Sequence, residues 1–134
     1  MISHHEALIY TMVLVSAADR KMPDIELESM GDMVAHLPVF RDFDRKTLPK
    51  VTNDCAKLLQ DGDGLDKAFK AIKAALPEKL RETAYALACD VAAADGKVTQ
   101  EESRILELVR HHLQIGRLPA AAIERGSRAR HTHL

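Results

Sequence analysis

The sequence predicts an all-α fold, a single compact bundle of about seven helices that includes a duplicated helix–turn–helix. Apolar residues recur three and four positions apart along most of the chain, and no stretch alternates in the manner of a β-strand. The composition is 46% hydrophobic but only 4% aromatic and contains no Trp, which favours helices over sheets. At 134 residues the chain is long enough for one core but not for two.

An internal repeat is the third observation behind this fold class. Residues 90–102 read as a helix end, a tight turn and the start of a new helix, and residues 17–26 contain the same phrase. A shift of 76 positions aligns the two copies as Ala-Ala-Asp-x-Lys-φ-x-x-x-Glu, where φ is an apolar residue. The repeat predicts two similar helix–turn–helix units.

The first two helices flank the first copy of the repeat. Ser3 and Glu6 have the spacing of a capping box, which predicts a helix that begins there and extends to about Ala18. Pro23 suits the first turn of the second helix, and the acidic residues after it interact favourably with the helix dipole. Pro38 bounds this second helix.

The middle of the chain contains two amphipathic helices and the start of a third. Asp44 is a plausible cap for the third helix, and the Gln-Asp-Gly-Asp-Gly run at 60–64 ends it. This run has some likeness to a calcium loop but lacks the glycine and the final glutamate of one, so we interpret it as a connector. The fourth helix follows from about Leu65 to Leu76, and Pro77 begins the fifth.

The C-terminal part completes the bundle. The sixth helix runs from about Gln100 to Leu113, and Pro119 opens a short seventh helix. Beyond that the sequence is rich in Arg and His and almost free of apolar residues. We therefore predict a helical domain over residues 1–124 and a flexible, basic and His-containing tail over residues 125–134.

The charge and the cysteines bound the kind of protein. The formal net charge is −1, so no global field attracts nucleic acid or an anionic membrane. No segment resembles a signal peptide or a membrane span. Cys55 and Cys89 lie within apolar helical patterns and are expected to be buried free thiols in a reducing compartment. The sequence thus predicts a cytoplasmic protein that binds no nucleic acid and does not insert into membranes.

The sequence contains no motif that predicts catalysis. There is no phosphate-binding Gly-rich loop, no nucleophile elbow and no Cys–His pattern, so we expect no enzyme and no catalytic residue. Among the seven histidines, His4–His5 and His111–His112 are adjacent pairs, which diverge on a helix instead of facing one metal. We therefore interpret the histidines as surface residues that bind no metal.

The acidic turn of the second copy fits the second half of an EF-hand calcium loop. Asp95, Gly96 and Lys97 would take loop positions 5, 6 and 7, and Thr99 and Glu102 would take positions 9 and 12. Positions 1 and 3 would fall on apolar residues. A hard cation needs about six or more oxygens, and this half loop offers about four, which excludes a complete EF-hand.

Two interpretations of the acidic turns remain open. In the first, Asp95 and Glu102 bind a divalent cation such as calcium, with waters or the equivalent Asp19 and Glu26 of the first copy completing the site. In the second, Asp95 and Glu102 only hold the turn and cap the helix, since Thr99 and Glu102 also have capping-box spacing.

The duplicated phrase resembles the TerB-like tellurite-resistance family. The likeness covers roughly residues 5–115, and the second copy, residues 93–102, is the closer match. The resemblance implies a compact seven-helix fold and a role in stress responses linked to tellurite and other toxic compounds. It also implies a divalent-metal or ion-sensing site at the acidic turns.

Four residues match the family's acidic positions: Asp19, Glu26, Asp95 and Glu102. The first copy departs from the pattern, because Arg20 replaces the turn glycine and Pro23 replaces the capping residue. The second turn is therefore the stronger candidate for metal binding.

The sequence is compatible with three functions. The leading function is a non-enzymatic binding or sensor module that acts in a metal or oxyanion stress response and uses the acidic turns as its site. No cofactor is assigned to it beyond a candidate divalent cation such as calcium. The alternative is an interaction module whose acidic turns are purely structural and whose helical faces dock an unidentified protein partner. A hydrolase that uses the carboxylate pairs is disfavoured, because general acid–base work needs a pocket and a perturbed carboxyl that the sequence does not reveal.

Overall fold

The computed structural model describes residues 1–19 and 21–134, and it contains α-helices and short 3₁₀ turns without a strand in these ranges. The α-helices are, in chain order, α1 (His4–Ser16), α2 (Asp24–His36), α3 (Leu48–Leu59), α4 (Gly64–Ala75), α5 (Arg81–Ala93), α6 (Gln100–His112) and α7 (Arg117–His131). Single 3₁₀ turns occupy Pro38–Phe40, Arg45–Thr47 and Glu78–Leu80. The predicted all-α bundle of seven helices is confirmed. None of the described helices combines the length and the apolar character that a membrane crossing requires.

The helix starts follow the local sequence closely at α1. The Glu6 N–H donates to Ser3 Oγ at 3.1 Å, and the Ser3 N–H donates to Glu6 Oε1 at 2.9 Å, which completes the predicted capping box. Helices α3 and α5 begin about one turn later than the sequence predicted. The 3₁₀ turn capped by Asp44 precedes α3, and the 3₁₀ turn after Pro77 precedes α5.

Helix α1 forms the centre of the core. Its residues 7–16 are all buried, and it packs against α2, α3, α4, α5 and α6. Apolar side chains surround this helix on every side, as expected for a helix enclosed by its neighbours. Its counterpart in the repeat, α5, packs against it, and the small side chains of Ala84, Ala88 and Ala92 are buried there. The two repeat units therefore meet through their first helices.

Both cysteines are buried and free, as the sequence predicted. Burial is the main cause that raises the pKa of the Cys55 thiol and of the Cys89 thiol, each to about 12. Because the thiolate is the reactive form of cysteine, this burial disfavours nucleophilic reactivity at both residues.

The C-terminal end differs from the prediction. The sequence predicted a short seventh helix that begins at Pro119, but α7 runs from Arg117 to His131 and packs against α5. Tertiary contacts explain the correction: Ser127 is buried, and Arg130 forms an ion pair of 2.7 Å with Asp90 on α5. The His131 ring also hydrogen-bonds to the Ser127 carbonyl oxygen at 2.8 Å. The mobility of this segment and the domain boundary at residue 124 stay predictions.

Candidate acidic site

The two acidic turns have the same local hydrogen bond. The Lys21 N–H donates to Asp19 Oδ1 at 3.1 Å, and the Lys97 N–H donates to Asp95 Oδ1 at 3.0 Å. Each aspartate thus holds its own turn, as aspartate side chains commonly do. Gly96 has a φ of 82°, in the left-handed region that glycine adopts without strain. The comparison with Arg20 in the first copy lies outside the described residues.

The strain that a side chain would meet at Gly96 gives a stability test. Replacing Gly96 with Val is expected to lower the free energy of unfolding by about 1–2 kcal/mol, because β-branched residues resist a positive φ. The added Cβ itself would meet only the His133 ring, at 3.9 Å, so crowding contributes little. Urea denaturation should show a much smaller loss for Gly96→Asn, since asparagine tolerates this conformation. Equal midpoints for the Val variant and the wild type would contradict the prediction.

Glu26 and Glu102 occupy the same place in their helices, three positions after the helix-capping residue. Both are 1% exposed. In the second copy the capping box is complete: the Thr99 N–H donates to Glu102 Oε1 at 3.0 Å, and the Glu102 N–H donates to Thr99 Oγ1 at 3.1 Å. In the first copy the capping residue is Pro23, which has no N–H. Glu26 Oε1 is accordingly buried without a hydrogen-bond partner in the described structure.

The carboxyl groups of the two glutamates lie beside each other. Burial, and next the hydrogen bond with Glu102, raise the pKa of Glu26 from 4.5 to about 8, and the nearby Asp95 adds a smaller effect in the same direction. Two adjacent carboxyls in a low-dielectric site cannot both ionise cheaply. At neutral pH the pair therefore favours one shared proton, and the raised pKa places it mainly on Glu26.

A third polar group belongs to this buried cluster. Ser16, at the end of α1, is fully buried beside Glu26 and lowers the pKa of that carboxyl. Its Oγ makes no hydrogen bond of acceptable distance and angle to the described residues. The residue at the equivalent position of the second copy is Ala92. Ser16 Oγ thus lies beside the Glu26 carboxyl, yet neither it nor Glu26 Oε1 makes a well-formed hydrogen bond.

The predicted ligands are brought together only in part. Glu26 and Glu102 are adjacent and Asp95 is close enough to act on Glu26, whereas Asp19 is not among the charges that shift the Glu26 pKa. Within residues 1–19 and 21–134 no group of three or more His, Cys, Asp or Glu side chains converges as ligands of a metal ion. Whether these carboxylates bind a cation stays a prediction.

Two of the histidines have packing roles that the sequence did not reveal. The His5 Nε2 hydrogen-bonds to the Val39 carbonyl oxygen at 2.8 Å. The His112 ring stacks on Phe69 with centroids 4.1 Å apart, and burial lowers the pKa of His112. Both rings join α-helices to neighbouring segments.

Sequence reasoning found both glutamates through the repeat but missed their burial and the involvement of Ser16. One signal was available: Pro23 at the capping position leaves the first glutamate without the partner that Thr99 gives the second.

The chain matches the model of a family described as tellurite resistance protein TerB, over residues 5–124. It belongs to the TerB family. The match includes both acidic turns and ends within α7. The resemblance that the duplicated motif suggested is thus confirmed. Membership of TerB connects the chain with tellurite resistance, a stress-related role. Neither the comparison with curated proteins nor the comparison with solved structures gave a significant match.

Proposed function

We propose that this TerB domain is a non-enzymatic binding or sensor module whose acidic site takes up a divalent cation weakly during metal or oxyanion stress. The observation behind the proposal is the buried, unpartnered Glu26 Oε1 beside the Glu102 carboxylate. An unsatisfied buried polar atom is costly, and such atoms cluster where a site has a function. A cation would give this oxygen a partner.

Proton and cation compete at this site in the proposed mechanism. The pair holds one proton because two buried carboxylates repel each other, and a divalent cation would supply the charge that lets both ionise. Glu26 and Glu102 would be its protein ligands, with waters completing the shell and Asp95 adding negative charge nearby. Calcium fits such a site better than magnesium, because calcium accepts irregular ligand geometry whereas magnesium demands a near-ideal octahedron.

Calorimetric titration of the full chain with calcium, magnesium, manganese and zinc tests this function. We expect calcium to bind with a Kd of about 10⁻⁴–10⁻³ M, as in weak sites with few protein ligands. Affinity should increase as the pH rises through about 8, since binding must displace the Glu26 proton. Proton release on binding should show as a dependence of the heat on the buffer.

Matched variants locate the binding. Glu26→Gln combined with Glu102→Gln should abolish it, and glutamine at position 102 keeps the capping box. The control pair is Glu28→Gln with Glu101→Gln, exposed residues on the same two helices, and it should leave the affinity unchanged. An equal loss of cation affinity in the two double variants would contradict a site at the buried glutamates.

The interaction module is the second candidate, and a specific observation favours it. Asp19, Asp95 and Glu102 each already accept a hydrogen bond from a backbone N–H, which is a structural use of these acids. Absence of heat from all four ions up to millimolar concentrations would favour this function over cation binding. Catalysis is part of neither proposal, because Glu26, the carboxyl with the raised pKa, is buried and presents no surface to a substrate.

A further inference from the structure

A cleft at the C-terminal end of the bundle borders the second acidic turn, but neither Glu26 nor Glu102 lines it. We propose that it binds a small amphipathic anion, an apolar organic body that carries one carboxylate. The cleft has a volume of about 920 Å³ and lies between α6 and α7, with α5 beneath. Pockets for small organic molecules typically have volumes of about 300–1,000 Å³.

The walls of the cleft are formed by three helices and one turn. Tyr85 and Cys89 of α5 form the floor, Leu106 lies on the α6 side, and Ala120 lies on the α7 side. Both α6 and α7 pack against α5, and the cleft opens between them. At one end is the turn of the second repeat copy, where the Val98 side chain is 47% exposed. These apolar surfaces suit the body of an organic ligand.

The charged groups of the cleft favour an anion. Arg110, Arg117 and Arg128 line it, and none of them has a carboxylate within 4.0 Å among the residues that the structure describes. Arg130 on the same helix as two of them behaves differently, since it is paired with Asp90 at 2.7 Å. Three arginines without such partners at the edge of an apolar cleft are donors suited to a carboxylate.

The acidic residues of the cleft limit how much negative charge a ligand can have. Glu107 and Glu124 also line it, and Glu124 accepts a hydrogen bond from the Tyr85 hydroxyl. Three arginines against two glutamates give an excess of one positive charge before the histidines His131 and His133 are counted. A ligand with a single carboxylate matches this balance, whereas a polyanion such as nucleic acid would be repelled by the glutamates.

A buried hydroxyl provides an independent sign of an absent partner. Ser127 lines the cleft, is 3% exposed, and its Oγ has no hydrogen-bond partner among the described residues. The hydroxyl can turn between staggered rotamers, and a carboxylate oxygen placed in the cleft would accept its hydrogen bond. A ligand without any hydrogen-bond acceptor would leave this hydroxyl unsatisfied.

Decanoate and decanol are a matched pair of probes, because they share the apolar chain and differ in charge. Calorimetry with the full chain, below the concentration at which decanoate forms micelles, should show saturable binding of decanoate. Decanol should bind at least about tenfold more weakly, which corresponds to about 1.4 kcal/mol. Changes in the amide NMR signals should be concentrated at residues of the cleft in α5, α6 and α7.

Variants of the cleft complete the test. Replacing Arg110, Arg117 and Arg128 together with Gln should weaken decanoate binding at least about tenfold and leave decanol binding unchanged. The control replaces three exposed arginines outside the cleft, Arg41, Arg104 and Arg125, with Gln. This control should bind decanoate as the wild type does.

A second variant blocks the cleft without changing its charge. Ala121 is exposed on α7 and lines the cleft, so Ala121→Trp should fill the space and prevent binding while the thermal unfolding curve stays intact. Equal affinity for decanoate and decanol would overturn the proposed anion site, and so would equal loss in both arginine triples. Absence of saturable decanoate binding would overturn it as well, whatever the outcome of the cation titrations.

Discussion

Replacing Glu26 with glutamine is expected to stabilise the domain at pH 8 and to leave its stability at pH 5 nearly unchanged. An amide is uncharged at every pH and can donate to the Glu102 carboxylate as the protonated acid does. The variant therefore retains the hydrogen bond but cannot ionise inside the core. The stability of the variant should therefore depend much less on pH between 5 and 8 than that of the wild type.

The direction of the effect follows from where the proton is bound. Between pH 4.5 and about 8 the folded chain holds the Glu26 proton and the unfolded chain does not. The free energy of unfolding of the wild type should therefore fall as the pH rises through this window, by up to about 1.4 kcal/mol per pH unit. Below the window both states are protonated and the effect vanishes. Above this pH window, the wild type has lost the full stability that the Glu26 proton contributes.

Urea denaturation at a series of pH values between 5 and 8 measures this slope. Glu28→Gln is the matched control, because Glu28 lies on the same helix and is exposed, and its profile should parallel that of the wild type. In the Glu26→Gln variant, the decrease of the free energy of unfolding with rising pH should be largely absent. A variant profile as steep as the wild type's would show that Glu26 does not hold the proton in the folded state.

Gly64→Ala is expected to destabilise the domain by about 3 kcal/mol, the upper part of the range for overpacking. Gly64 begins α4 and lies against the end of α3. A Cβ there would overlap the Leu58 carbonyl oxygen and would lie 2.9 Å from the Leu59 Cα. These are backbone atoms, so no side-chain rotation relieves the overlap and the junction of the two helices must shift.

Gly62→Ala is the control for this change, because it lies in the same connector and its Cβ would meet nothing within 4 Å. Its free energy of unfolding should stay within about 0.5 kcal/mol of the wild-type value. Urea denaturation of both variants gives the comparison. If Gly64→Ala and Gly62→Ala unfold at the same urea concentration, then the α3–α4 junction is not tightly packed.

The fold could be predicted where local chemistry decides it. Ser3 with Glu6 and Thr99 with Glu102 fix helix starts through residues only three positions apart, and the structure has both capping boxes. The second half of α7 could not be predicted in this way. Its sequence is polar, and its helix is stabilised by a contact with Asp90, which lies 40 positions earlier in the chain.

The candidate acidic site shows the same division. Alignment of the repeat found Glu26 and Glu102, because the two residues occupy the same position in the two copies. Their burial and the shared proton depend on how α2 and α6 approach each other, which no local pattern encodes. The cleft beside α7 is further from prediction still, since its residues are contributed by three helices and become neighbours only in the folded bundle.

The Glu26–Glu102 pair also joins two segments that are far apart along the chain. One carboxyl lies in the first turn of α2 and the other in the first turn of α6, so the proton between them ties together the starts of two helices. Loss of that proton places like charges across the junction and favours its local opening. The protection of amides at the starts of α2 and α6 against hydrogen exchange would then decrease as the pH rises and the shared proton is lost. The two helix starts would open together as one cooperative unit.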